Sequence, residues 1–85
     1  MTQTKIVMYS KVPCPYCDSA KKLLNELKLE YKLIDLTDQP EEIDRIKQET
    51  GWRTVPIILI NYKLVGGFTD LKSLVDTGKL QELLN

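Results

Sequence analysis

The residues best suited to chemistry are the two cysteines, Cys14 and Cys17, which stand two residues apart in the segment Cys-Pro-Tyr-Cys. A cysteine thiolate serves as a nucleophile or as a metal ligand, and two thiols can form a disulfide. The chain of 85 residues contains no histidine, so the commonest metal ligand and general base is absent. Any chemistry must therefore rely on thiols, carboxylates, lysine, tyrosine or backbone groups.

Four hypotheses concern this pair: a structural disulfide, part of a metal site, two buried inert thiols, or a reactive dithiol. A disulfide across so short a loop stabilises a fold by roughly 2 kcal/mol, and a cytosolic chain keeps its thiols reduced. A closed zinc site needs four ligands, and the sequence has no second Cys-x-x-Cys. An iron–sulfur cluster shared by two chains would need added thiols. The position of the pair, after a strand and at the start of a helix, favours the reactive dithiol.

The two thiols are predicted to differ in reactivity. Pro15 suits the first position of a helix, which places Cys14 at the N-cap. There the sulfur faces the unpaired N–H groups of Tyr16 and Cys17 and the positive end of the helix dipole, which lower the pKa of a thiol. Lys11 adds a positive charge nearby. Cys17 lies one turn further in and is less exposed, so Cys14 attacks a disulfide and Cys17 resolves the mixed disulfide.

Hydrophobic patterning predicts the elements that position this pair. Strands are expected at 6–9, 31–36, 56–60 and 63–66, the last two as an antiparallel hairpin around Asn61-Tyr62. Helices are expected at 15–27, from the Thr-Asp-Gln-Pro segment to Gly51, from a cap at Thr69 or Asp70 to Gly78, and over the last residues to Asn85. The first two strands are joined by a helix and should be parallel. The predicted α/β class is a mixed four-stranded sheet flanked by helices (β-α-β-α-β-β-α), an order that resembles the thioredoxin fold.

Two further segments have a structural and a functional interpretation. Thr54-Val55-Pro56 is either a loop leading into a strand or a segment with a cis Val55–Pro56 bond, whose free backbone groups pair with a peptide substrate. The segment from Gly66 to Asp70 is a turn and helix cap. It is also a candidate seat for a carboxylate, because glycines let a ligand approach the N–H groups of a helix start.

Taken together, Cys-Pro-Tyr-Cys, Thr-Val-Pro and Gly-Gly-x-x-Asp resemble the glutaredoxin family in order and spacing, from Ile6 to about Leu84. Glutaredoxins adopt the thioredoxin fold and use glutathione to reduce protein disulfides and glutathionylated thiols. The resemblance implies that Cys14 is the nucleophile, Cys17 the resolving thiol and Pro56 a cis-proline. The other residues that it implies for glutathione binding are Lys11, Tyr16, Thr54, Val55, Gly67, Thr69 and Asp70. Arg53, by its charge, and Phe68, by its place between Gly67 and Thr69, are added as candidate glutathione-binding residues.

The charges of glutathione suggest a role for several of these residues. Lys11, with Arg53, is expected to meet the glycyl carboxylate. Thr69 is expected to meet the γ-glutamyl carboxylate, and Asp70 the ammonium. The sequence also departs from the family: Ile57 stands where many members carry Gln, and Phe68 places an apolar ring near the site. Arg45 and Gln48 are guesses for the polar side chain that many members direct at the glycyl carboxylate.

The expected setting is a single glutaredoxin domain over residues 1–85, monomeric and cytoplasmic, with no signal peptide. Twelve basic residues balance twelve acidic ones, which argues against a general nucleic-acid or membrane binder. The expected partners are glutathione, as co-substrate, and disulfide or glutathionylated proteins, with ribonucleotide reductase as one candidate; no tightly bound cofactor is expected. Two alternatives remain: a glutaredoxin-like redoxin reduced by thioredoxin reductase, which Trp52-Arg53 suggests, and a dimeric module that binds iron–sulfur or metal.

Overall fold

The computed structural model describes residues 5–84 and contains a four-stranded sheet with helices on both faces. The strands are β1 (Ile6–Ser10), β2 (Tyr31–Asp35), β3 (Ile57–Ile60) and β4 (Lys63–Gly66). The helices are α1 (Pro15–Glu26), α2 (Pro40–Thr50), α3 (Phe68–Asp76) and α4 (Lys79–Leu84). The predicted order of elements is confirmed. Several ends differ from the prediction by one or two residues, and α3 begins earlier than predicted. Met1 to Thr4 and Asn85, which the predicted domain and last helix include, lie outside the described residues.

The sheet has the order β2-β1-β3-β4. β1 pairs in parallel with β2, from Ile6 opposite Tyr31 to Ser10 opposite Asp35. It pairs antiparallel with β3 on its other side, and β3 pairs antiparallel with β4. The predicted parallel crossover and antiparallel hairpin are therefore both confirmed. The carboxyl end of central β1 leads directly into the cysteine segment, because only residues 11–14 separate it from α1.

Two apolar clusters fill the space above and below the sheet. The larger one lies under α1, α3 and α4 and consists of Ile6, Met8, Ala20, Leu24, Ile58, Ile60, Leu71 and Leu80. The smaller one joins α2 to the other face through Leu36, Ile43, Ile46 and Ile57, with Trp52 and Val55 packed against it. Alternate residues of β1 and β3 thus serve opposite faces, as the two-residue period of a strand requires. Burial on both faces explains why these two strands are continuous apolar runs in the sequence.

Local sequence accounts for most element ends. α1 and α2 each begin with a proline, and α2 ends at Gly51, which adopts the left-handed conformation at φ 73°. The β3–β4 turn has positive φ at both central residues, 52° at Asn61 and 67° at Tyr62. That pattern belongs to a type I′ turn, whose twist matches a hairpin. Within residues 5–84, no helix has the length and apolarity needed to cross a membrane.

Candidate active site

Cys14 occupies the N-cap of α1, as predicted. Its backbone is extended (φ −154°, ψ 96°), Pro15 follows in the first turn, and the N–H of Cys17 donates a hydrogen bond to the Cys14 Sγ at 3.0 Å. The two sulfurs are joined in a disulfide with the Cα atoms 5.2 Å apart. The sequence therefore places one sulfur where the helix dipole and a backbone donor both favour negative charge.

The two cysteines differ sharply in exposure. Cys14 is half-buried, whereas Cys17 is only 2% exposed and packs inside the first turn of α1. Tyr16, between them, is 62% exposed. An external thiol or disulfide can therefore reach Cys14 far more easily than Cys17, which matches the predicted division between an attacking and a resolving thiol.

A hydrogen-bonded clamp holds the loop that carries Cys14. The N–H of Val12 donates to the Thr37 hydroxyl at 3.0 Å, and Thr37 in turn donates to Asp35 Oδ1 through both its hydroxyl and its N–H. These two bonds from Thr37, the hydroxyl first, lower the pKa of the Asp35 carboxyl. The clamp joins the end of β2 to the segment before Cys14. The sequence analysis missed Thr37, because a lone Thr after a strand has no pattern that shows this long-range bond.

Val55 and Pro56 lie beside the cysteines, as predicted. The Val55–Pro56 peptide bond is cis, and so is Val12–Pro13, which was not predicted. The carbonyl oxygen of Val55 lies 3.7 Å from Cys14 Sγ. Within residues 5–84, neither the N–H nor the C=O of Val55 takes part in a backbone hydrogen bond. An extended peptide attached to Cys14 would thus find a free backbone donor and acceptor next to the sulfur.

The start of α3 corrects one prediction. The N-cap is Gly67, not Thr69 or Asp70, and Asp70 stands at the third helical position. The carboxylate of Asp70 accepts a hydrogen bond from the N–H of Gly67 at 3.1 Å, in the manner of a capping box. The difference arises because a glycine can cap a helix through its backbone alone, while the acidic residue three positions later supplies the reciprocal bond. Asp70 is therefore not the N-cap residue: it lies inside the helix and accepts the hydrogen bond from the N-cap residue Gly67.

These segments enclose a cavity that we call the aromatic pocket. It has a volume of about 290 Å³ and is lined by Tyr16, Trp52, Thr54, Val55, Pro56, Gly67, Phe68 and Thr69. The rings of Tyr16 and Phe68 are stacked, with centroids 6.4 Å apart and an interplanar angle of 28°. Seven of the eight residues are ones that the sequence analysis singled out for substrate binding. Trp52, the eighth, was noted only for its place before Thr-Val-Pro.

Comparison with known proteins decides the family. The glutaredoxin family model matches residues 6–65. A glutaredoxin of Vernicia fordii is 37% identical over 87 residues, covering 99% of this chain and 84% of that protein. The crystal structure of wheat glutaredoxin superposes with a TM-score of 0.87 at 38% identity, covering 94% of this chain and 78% of that one. The chain belongs to the glutaredoxin family. Its fold is accordingly the thioredoxin fold of glutaredoxins, and its Cys14–Cys17 pair makes it a thiol–disulfide oxidoreductase.

One structural relative carries a ligand in its description. A buckwheat glutaredoxin–glutathione complex superposes with a TM-score of 0.83 at 37% identity, covering 94% of this chain and 76% of that one. Other glutaredoxins are longer: the chain spans about half the length of the mitochondrial glutaredoxin-2 relatives that it matches. The similarity to these longer relatives is therefore limited to the domain that matches this chain.

Three residues predicted to bind glutathione, Lys11, Arg53 and Asp70, do not line the aromatic pocket. Lys11 lines a second cavity of about 190 Å³, which we call the dithiol pocket because Cys14 and Cys17 line it as well. Arg53 is exposed and lines neither cavity. Asp70 borders a separate groove under β4 while it bonds Gly67. Any contact of these three side chains with a ligand in the aromatic pocket would have to be made from its rim.

The guess that Arg45 of α2 meets a carboxylate of the ligand finds no support in its contacts. Its guanidinium donates to Glu42 at 2.6 Å and to Glu49 at 2.8 Å on the same helix. The bond from Arg45 lowers the pKa of Glu42. Arg45 is thus already paired with two carboxylates. Among residues 5–84, no group of three or more Cys, Asp or Glu side chains is placed to hold a metal ion.

Proposed function

We propose that this glutaredoxin is a glutathione-dependent oxidoreductase that reduces glutathionylated proteins and protein disulfides. The observation that carries the proposal is the aromatic pocket next to Cys14, with the free backbone of Val55 on one side and the start of α3 on the other. The complex of a buckwheat relative with glutathione supports it.

The geometry around Cys14 fits a tripeptide thiol. A disulfide holds its two Cα atoms about 5.5–6 Å apart, so a cysteine bonded to Cys14 would have its backbone beside Val55. The N–H and C=O of Val55 can then pair with that cysteine as neighbouring strands pair. The first amides of α3 have no partner within the helix and attract a carboxylate. In this proposal Thr69 and those amides hold the γ-glutamyl carboxylate, and Tyr16 and Phe68 cover the ligand.

The proposed reaction with a glutathionylated protein has two steps. The Cys14 thiolate attacks the glutathione sulfur, the target thiolate leaves and takes a proton, and a Cys14–glutathione disulfide remains. The thiolate of a second glutathione then attacks the bound glutathione sulfur, which releases Cys14 and one oxidised glutathione. The net reaction converts the mixed disulfide and one free glutathione thiol into the target thiol and oxidised glutathione.

The proposed reaction with a protein disulfide uses both cysteines. Cys14 attacks one sulfur of the target and forms a mixed disulfide, which Cys17 resolves by attacking Cys14. The product is the Cys14–Cys17 disulfide seen in the structure. Two glutathione molecules reduce it again. We place this activity in the cytoplasm, in a monomer; ribonucleotide reductase is one candidate target among disulfide proteins.

The test measures the reduction of a glutathionylated peptide with glutathione, glutathione reductase and NADPH. Cys14→Ser should abolish turnover, whereas Cys17→Ser should keep turnover of this peptide and lose the reduction of an intramolecular disulfide. A parallel assay replaces glutathione and its reductase by thioredoxin reductase, which the Trp52-Arg53 resemblance makes the main rival. Turnover only with thioredoxin reductase, or full activity of Cys14→Ser, would contradict the proposal.

A further inference from the structure

Trp52 is the one tryptophan of the chain and forms part of the wall of the aromatic pocket. Its indole nitrogen is buried, and within the described residues it has no hydrogen-bond partner. A buried N–H without an acceptor is unfavourable, and proteins rarely retain one without a reason. A phenylalanine would supply much of the same apolar wall without that cost. The indole N–H is therefore a candidate donor to a ligand bound in the aromatic pocket.

The indole lies directly against the start of α3. A Cβ built on Gly67 would sit 3.7 Å from the Trp52 Nε1 and 3.7 Å from the carbonyl oxygen of Pro56. A Cβ on Gly66 would sit 3.1 Å from the Trp52 ring and 2.6 Å from the Asp70 carboxylate. The ring therefore lies beside the N-cap of α3, close to the first amides of the helix, which have no partner within it and attract an anion.

The Trp52 ring also packs against the interior of the protein. The ring packs against the smaller apolar cluster beneath α2, and the backbone N–H of Trp52, not its indole N–H, donates to the Thr50 hydroxyl at 3.2 Å. Thr50 in turn donates to the carbonyl of Ile46 at 2.8 Å. The packing restricts the ring, so the indole loses little side-chain freedom when a ligand binds.

We propose that Trp52 determines specificity for the γ-glutamyl end of glutathione: its indole N–H donates to the α-carboxylate of that group, next to the amides of α3. This inference rests on the proposed function. Because the indole nitrogen is buried, this bond requires the Gly66–Gly67 backbone to move aside when the ligand binds, and neither glycine has a side chain in the way. The bond is charge-assisted and forms in a partly buried site, so it strengthens binding more than a neutral bond at the surface does.

The test is a binding cycle with two ligands and two proteins. The first ligand is S-methylglutathione, and the second is its 4-aminobutyryl-cysteinyl-glycine counterpart, which keeps the amine and lacks only the α-carboxylate. Isothermal titration should show that Trp52→Phe weakens binding of the first ligand about tenfold and leaves binding of the second unchanged. The free energy of urea unfolding of Trp52→Phe should stay the same or rise, since the orphaned donor is gone.

Tyr9→Phe is the matched control. It removes one polar group from an aromatic ring that packs on the same cluster as Trp52 but does not line the pocket. It should leave both affinities unchanged. Equal losses of affinity for the two ligands in Trp52→Phe, or no loss for either, overturn the inference while the proposed function stands. If wild-type protein binds neither ligand and does not turn over a glutathionylated peptide, the proposed function fails and the inference fails with it.

Discussion

Gly66 and Gly67 are neighbours with very different tolerance for a side chain. Gly66 has φ 124°, which disfavours any other residue, and a Cβ there would approach Asp70 Oδ2 to 2.6 Å. Gly66→Ala should therefore strain the backbone by about 1–3 kcal/mol. It should also displace Asp70 and break its bond to the Gly67 N–H, a cap worth about 1 kcal/mol. We expect a total loss of about 2–4 kcal/mol from the free energy of unfolding.

Gly67→Ala is the matched control. Its φ of −101° suits any residue, and the added Cβ would meet its neighbours at 3.7–3.8 Å, which is ordinary contact. Alanine is a poorer N-cap than glycine, so the loss should stay below about 1 kcal/mol. Urea unfolding followed by far-UV circular dichroism measures both variants. With an m-value of about 1–1.5 kcal/mol/M, Gly66→Ala should lower the midpoint by about 2 M. Equal midpoints for the two variants would refute the reasoning.

Three other predictions follow from single contacts. In the reduced protein, iodoacetamide should modify Cys14 before Cys17, because Cys17 is 2% exposed; equal rates by peptide mass mapping would contradict this. Tyr62→Gly should raise the free energy of urea unfolding by about 1 kcal/mol, since Tyr62 is 94% exposed and strained at φ 67°; an unchanged midpoint would count against the strain. The hydrogen bonds from Thr37 lower the pKa of Asp35 from its ordinary value of 3.8. They therefore stabilise the folded state fully at pH values above 3.8, and this stabilisation is lost as the pH falls through the lower pKa of the folded state. Unfolding of Asp35→Asn should differ from wild type at neutral pH and converge with it in acid, and a constant difference would argue against the clamp.

The sequence was sufficient to predict the elements and their order. The three-and-four spacing of Ala20, Leu24 and their neighbours defines the buried face of α1, and Pro15 fixes where it begins. The short apolar runs of β1 and β3 predict strands buried on both faces. These features depend on local chemistry and period, which a single chain displays directly.

The sequence was less informative about contacts made across the fold. The clamp from Thr37 to Val12 joins residues 25 apart, and neither residue type indicates such a bond. The turn before Cys14 places Lys11 in the dithiol pocket beside both cysteines, and no local pattern shows that position. Gly67 rather than Thr69 caps α3, because the backbone alone can satisfy that position. The burial of the Trp52 nitrogen depends on how α2 and α3 pack, which no local pattern shows.

The central claim is that Cys14 is the nucleophile and that the pocket beside it accepts glutathione. The most direct measurement is the mass of reduced Cys17→Ser after exposure to oxidised glutathione, followed by peptide mapping. We predict the addition of one glutathione, located on Cys14, and no adduct on reduced Cys14→Ser under the same conditions. An unmodified Cys17→Ser protein, or an adduct on the remaining Cys17 of Cys14→Ser at the same rate, would contradict the claim.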